Sequence, residues 1–254
     1  MSLAMGLATL LEMVATDNGF DLSEPPQPDW LGFASSRATL RIWLSSHGTG
    51  MVAAFSEHKV FKALVEHGTS ASVAPLPAGA CAARTVSDIP ALRGMVRRAF
   101  QLSRTLPDEP LHQFQKKIAA LPRSTEVERL VVQRVGQDIF RNSLLDYWEN
   151  RCALTGLSVP PLLRASHIKA WSETTDAERL DVYNGLLLSP DMDAAFDKHF
   201  FTLDEGGSVM VSSRLSQADR RVLGLDEPMI LERLAEGHRP YLAWHRKKFQ
   251  AAQN

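Results

Sequence analysis

Residues 152–213 read CALTGLSVPPLLRASHIKAWSETTDAERLDVYNGLLLSPDMDAAFDKHFFTLDEGGSVMVSS, and this stretch decides the fold. Leu162 to Ile168 is short, apolar and bounded by Pro160 and Pro161, which predicts a strand ending near His167. Gly185 to Leu188 predicts a second strand that returns after a polar loop. Ser189 followed by Pro190 is an N-cap with proline at the first helical position, and Asp191 suits the positive end of the helix dipole. A short helix is therefore expected over DMDAAFDKH, and the strand, strand, helix unit carries His167, Asn184, Asp193 and Asp197.

Asp193 and Asp197 are four residues apart, so both carboxylates leave the helix from one face. Like charges at that spacing repel unless a cation or solvent offsets them, and Lys198 is expected on another face. A hard divalent cation takes oxygen ligands of this kind. His167, at the end of the neighbouring strand, is placed to act as a neutral imidazole that takes a proton from water. A base that makes hydroxide and a metal that stabilises developing charge are the parts that phosphodiester hydrolysis requires.

The ordered words GQDIFRNSLLDYWENRCALTG, LLRASHI, NGLLL and DAAFD resemble the HNH endonucleases, the ββα-metal nucleases, in the subgroup found in bacterial restriction-like proteins. The resemblance spans roughly residues 137 to 213. It implies that His167 is the general base, and that Asn184 holds the loop bearing the base through backbone hydrogen bonds. It implies Asp193 as a metal ligand where many members have His or Asn, with Asp197 the candidate second ligand one turn on. His199 is expected to flank the site rather than act in it. Many members place an Asp immediately before the base, whereas this chain has Ser166, a weaker neutral ligand. The cysteine pairs that bind zinc in other members are missing, so no structural zinc is expected. The implied cofactor is a divalent ion, Mg²⁺ ahead of Mn²⁺.

Lys169, Trp171 and Arg179 lie between the base and the asparagine, where Lys169 and Arg179 are candidate contacts to nucleic acid and Trp171 a packing anchor. In HRPYLAWHRKKF the aromatic groups His238, Tyr241 and His245 fall near helical spacing and are expected to pack, beside Arg246, Lys247 and Lys248.

Upstream, Thr125 and Glu128 fit a capping box ahead of a helix to about Asn150, with Leu130, Val131, Ile139, Leu144 and Leu145 inward. The text from Pro90 to Leu102 predicts a two-faced helix with Arg93, Arg97 and Arg98 on a cationic side. SEHKVFKALVEHG predicts a helix with Gly68 as C-cap, and two strand-like runs around SSHGTG predict a hairpin. EPPQPDW is expected to be an extended connector, and the apolar N-terminus a packed amphipathic helix, with a secretory leader as the alternative.

With 28 Lys and Arg against 29 Asp and Glu there is no global basic field, which excludes a histone-like or polybasic role. Apolar residues make up 44% of the chain, enough to bury a core, and no run is long enough to cross a bilayer. Two cysteines, Cys81 and Cys152, exclude a disulfide framework and suit a reducing compartment, so a cytoplasmic location is expected. The expected architecture is α+β: an N-terminal helix over 1–24, a mixed α+β domain over 25–122 of unknown specificity, for which DNA or effector recognition is the candidate role, and a C-terminal ββα-metal domain over 123–254. The expected function is metal-dependent hydrolysis of double-stranded DNA in restriction or defence, with a homodimer reasonable because two strands need two sites. A DNA- or ligand-binding module with an attenuated nuclease site is the alternative.

Overall fold

The computed structural model describes residues 5–48, 50–72, 75–106, 108–119 and 126–253, apart from the side chains of 108, 126–129 and 176. It is mixed α+β, as expected, and divides into two compact units, Met1–Leu106 and Pro107–Asn254.

In the first unit, α1 (Met5–Asp17) leads into β1 (Leu22–Ser23), β2 (Leu31–Ala34), β3 (Ile42–His47), β4 (Gly50–Phe55), α2 (His58–Ala63), β5 (Thr69–Ser70), β6 (Ala82–Val86) and α3 (Ile89–Thr105). The strands form one antiparallel sheet in the order β1-β2-β3-β4-β6-β5. The expected hairpin is β3 with β4, closed where His47 faces Gly50. Ile42 to Ser45 and Val52 to Phe55 are buried without alternation, because both faces of the sheet are covered. The helices pack on one side, and on the other Trp30, Trp43, Val52, Ala54 and Ala83 form a cluster under Ala71, Leu76 and Ala80.

Two local expectations change here. The cationic side of α3 is only partly free surface: Arg97 is exposed, but Arg98 is buried and Arg93 pairs with Asp17 of α1 at 2.6 Å. Gly68 is not the cap of α2, which ends at Leu64; it turns the chain into β5 with φ 74°, where a Cβ would strike the Thr85 carbonyl. The N-terminal helix packs as expected, with α1 against α3 and β2.

The second unit contains α4 (Asp108–Ile118), α5 (Glu126–Tyr147), β7 (Arg164–His167), α6 (Asp176–Leu180), β8 (Gly185–Leu188), α7 (Pro190–Asp197), β9 (Phe201–Leu203), β10 (Val209–Val211), α8 (Gln217–Val222) and α9 (Arg239–Ala251). The expected capping residue Thr125 and the Glu128 side chain lie outside the described residues. Ile139 and Leu144 are buried as expected and Leu145 is half-buried, but Leu130 and Val131 are exposed. Before Ile139 the helix is covered by α4, where Gly136 is buried against Phe114 and Trp171, and from Ile139 onward the β7–β8 pair comes against it. At that crossing Gly185 has no room for a side chain: a Cβ would stand 2.5 Å from the Phe140 ring and 2.8 Å from Leu144. Arg141 of α5 donates to the carbonyls of Pro160 and Leu163, fixing the chain as it enters β7. Among the described residues, no helix is long and apolar enough to cross a membrane.

Candidate active site

The two strands form an antiparallel pair in which His167 faces Gly185 and Ser166 faces Leu186. The first strand is shorter than expected, because Pro160 to Leu162 form a 3-10 turn that delays pairing until Arg164. The expected helix follows as α7, packed on both strands. Ser189 occupies its N-cap position without capping through its side chain, and its N–H donates instead to the buried Cys152 sulfur at 3.3 Å. That sulfur also accepts from the Thr155 N–H.

The connection between the strands is more ordered than a polar loop. Thr175 and Glu178 make a capping box for α6, with the Thr175 hydroxyl accepting from Glu178 N and the Glu178 carboxylate from Thr175 N. The T-x-x-E signal was present in the sequence and identifies this helix.

Asn184 is fully buried and spends its whole carboxamide on this connection. Its Oδ1 accepts from Lys169 N at 2.8 Å, and its Nδ2 donates to the carbonyls of Glu178 and Lys169. The chain on both sides of the loop is thereby tied to the residue that opens β8. An Asn184→Leu variant of similar volume would leave the Lys169 N–H and two carbonyls to find other partners. It is expected to lose about 3 kcal/mol of stability, since unsatisfied buried groups cost about 1–3 kcal/mol each with partial relaxation. Chemical denaturation of the variant checks this; a midpoint shift corresponding to under 1 kcal/mol would remove Asn184 from that role.

His167 sits at the end of β7 with its ring stacked on Phe140 at 3.8 Å between centroids and the edge of Trp171 at 5.4 Å. Its Nε2 lies 3.0 Å from the Arg179 carbonyl. A carbonyl only accepts, so Nε2 carries the proton and Nδ1 the lone pair. Burial beside the aromatic rings pushes its pKa down to about 4 against the pull of that carbonyl, and the Arg179 charge adds slightly to the fall. The imidazole is therefore neutral at pH 7, with one nitrogen fixed by the backbone and the lone pair on the other.

Ser166, His167, Trp171, Asp193, Asp197, His199, Trp244 and Lys248 line one cleft of about 540 Å³. The structure thus brings His167 and both aspartates together. Asp197 pairs with its neighbour Lys198 at 2.7 Å, an exposed contact that was not expected from their angular positions on the helix. The Asp204 and Glu205 carboxylates border a different hollow, beside Arg239 and Arg246. Lys169 and Arg179 do not line the cleft. The ammonium of Lys169 binds Glu178 at 2.7 Å, while Arg179 donates to the Trp171 carbonyl and lies over its ring. The C-terminal aromatic groups pack as expected: Tyr241 donates to Asp181 at 2.8 Å, and His238 and His245 are buried.

Residues 152–204 match the HNH_2 family model, described as HNH endonuclease. This segment is an HNH endonuclease domain. A search of curated proteins finds no match for the chain. HNH nucleases generally use divalent metal ions and act on DNA. In this HNH domain no group of three or more His, Cys, Asp or Glu among the described residues is arranged to hold an ion. Asp193 and Asp197 border the cleft together with Glu173 and three imidazoles, and the carboxylate oxygens fit a hard ion that keeps several of its waters better than a protein-caged soft one.

Proposed function

We propose that the chain is a metal-dependent endonuclease that hydrolyses DNA phosphodiester bonds, in a restriction or defence role. The observation that carries this reading is the His167 imidazole, held neutral with its proton on Nε2 and set in the same cleft as Asp193 and Asp197. Nδ1 takes a proton from the attacking water, and the ring is kept in line by Phe140 behind it and the Arg179 carbonyl beyond it. Asp193, with Asp197, would hold Mg²⁺ or Mn²⁺. When bound, such an ion supplies charge for the phosphate and the leaving 3′ oxygen. Lys198 and Lys248 border the cleft and would meet a phosphate backbone entering it, and Trp244 lies under the Lys248 ammonium. Cleavage of both strands by single sites favours two copies acting together, and the substrate is double-stranded DNA.

The test uses the purified full chain with supercoiled plasmid, modified and unmodified, in Mg²⁺ or Mn²⁺ with an EDTA control. Nicking or linearisation that EDTA abolishes is the expected result. Asp193→Asn should weaken the requirement's midpoint for Mg²⁺ by about tenfold or more, because a neutral oxygen replaces a charged ligand. It should also abolish the rise in melting temperature that the divalent ion gives the unsubstituted chain. Failure to cut any plasmid in either metal would overturn the nuclease reading in favour of a binding module.

A further inference from the structure

His199 follows the last turn of α7 with φ 55°, a left-handed conformation that costs most side chains about 1–2 kcal/mol and glycine almost nothing. The chain nevertheless places an imidazole there, at the rim of the cleft that holds His167 and Asp193. That imidazole is not left to rotate. Its Nδ1 is 3.1 Å from Nε2 of His245, which α9 supplies from the far end of the unit.

His245 is only 2% exposed, and its ring stacks on Phe196 at 3.8 Å and 5°. Its Nε2 is also 3.1 Å from the Phe196 carbonyl, and its Nδ1 is 2.8 Å from the hydroxyl of Thr202, which is fully buried. These contacts assign the protons. The Phe196 carbonyl only accepts, so His245 Nε2 carries hydrogen and shares it between that oxygen and His199 Nδ1. His245 Nδ1 then accepts from the Thr202 hydroxyl. His199 Nδ1 must present its lone pair, which leaves the His199 proton on Nε2.

We infer that His199 is a fixed hydrogen-bond donor, through Nε2–H, to a non-bridging oxygen of the phosphodiester in the cleft, with His245 and Thr202 as its positioning residues. This rests on the nuclease reading. The two lysines at the cleft are each held by a carboxylate, Lys198 by Asp197 and Lys248 by Glu173 at 3.0 Å, so their charge is partly offset before substrate arrives. His199 offers a neutral donor whose direction is set by a buried chain of hydrogen bonds, which suits an oxygen that gains charge in the transition state. No proton leaves the imidazole in this role: the bond strengthens as charge builds and relaxes when product departs. The left-handed backbone ends α7, with the Phe200 N–H on the Ala195 carbonyl and the His199 N–H on the Phe196 carbonyl, and the same turn brings the ring back to meet His245.

His199→Gly tests the inference without disturbing the backbone, because glycine adopts this conformation freely. Its melting temperature should equal or exceed that of the unsubstituted chain, while plasmid nicking at saturating Mg²⁺ should fall about 100-fold. Nitrogen-15 spectra of the histidine rings provide a readout independent of cleavage. His199 should carry its proton on Nε2, and a short DNA duplex added in EDTA should shift that resonance. His245→Gln should mix the two tautomers of His199 and lower the cleavage rate while leaving the affinity for the DNA duplex unchanged. Cleavage by His199→Gly at the unsubstituted rate, a proton on Nδ1, or an Nε2–H resonance indifferent to DNA would each overturn the inference. Should the unsubstituted chain cut nothing, the nuclease reading falls separately, and the response of the His199 resonance to the duplex still decides whether it binds phosphate.

Discussion

Acidification should unfold the C-terminal unit between pH 6 and pH 4, well above the point at which its carboxylates alone would bring it down. Three histidines of that unit, His167, His238 and His245, are each held near pKa 4, in every case chiefly by burial. His238 shows why. Its Nδ1 accepts from the Ala235 N–H, its Nε2 has no hydrogen-bond partner among the described residues, and Tyr147, Trp148 and Tyr183 surround the ring. A second proton would have to sit on Nδ1, where it would confront the Ala235 N–H. An unfolded histidine titrates at about 6.5, so between that pH and about 4 the unfolded chain binds more protons than the folded one. Stability therefore rises with pH across this window and is lost as pH falls. Each group costs about 1.4 kcal/mol per pH unit inside the window, so three together cost about 4 kcal/mol per unit. A drop to pH 5 then removes about 6 kcal/mol, comparable with the whole stability of an ordinary domain. Asp181 works the other way, because burial raises its carboxyl even though the Tyr183 N–H and the Tyr241 hydroxyl bind it, but it is one group against three. Near-ultraviolet circular dichroism against pH is the measurement. His238→Phe, which keeps an aromatic ring in the cage, should move the midpoint to lower pH and reduce its steepness by about one proton. A unit that stays folded below pH 4 would contradict the argument.

The site was more legible than the domain that carries it, for a physical reason. Strand, strand and helix are short local elements whose limits are written by adjacent residues: the Pro pair before β7, the Asn-Gly step into β8 and the Ser-Pro step into α7. His167, Asn184 and the two aspartates sit at those limits, so placing the elements places the residues. The partners that give them their properties lie far away in the chain. Phe140 reaches His167 from α5, the Arg179 carbonyl from α6, and His245 meets His199 across 46 residues. Periodicity carries none of these contacts. Charge was misleading for a related reason. Arg93, Arg98, Lys169 and Arg179 look like a cationic surface in the sequence, yet Arg98 is buried and the other three spend their side chains on Asp17, Glu178 and the Trp171 carbonyl. The cations that border the cleft, Lys198 and Lys248, come from the end of α7 and from α9.

Removal of the imidazole at position 167 should lower the rate of DNA cleavage by about 10²–10⁴, the usual contribution of a positioned general base. Two substitutions separate the chemistry from the packing. His167→Ala empties the space between Phe140 and Trp171, so part of its loss will be structural. His167→Gln retains a side-chain N–H able to reach the Arg179 carbonyl, and with it the path of the loop, but its amide has no nitrogen lone pair to take a proton from water. Both variants should lose cleavage to a similar extent while His167→Gln keeps its melting temperature and its affinity for DNA. Added imidazole should restore part of the rate to His167→Ala, where there is room for it, and none to His167→Gln. The pH dependence adds a further check. A base with a pKa near 4 is already unprotonated at pH 6, so its titration gives no fall in rate between pH 8 and pH 6, provided the fold is intact. Full activity in His167→Gln would move the base elsewhere. Loss in His167→Ala alone would make the ring a packing residue, since only the alanine variant disturbs the stack on Phe140.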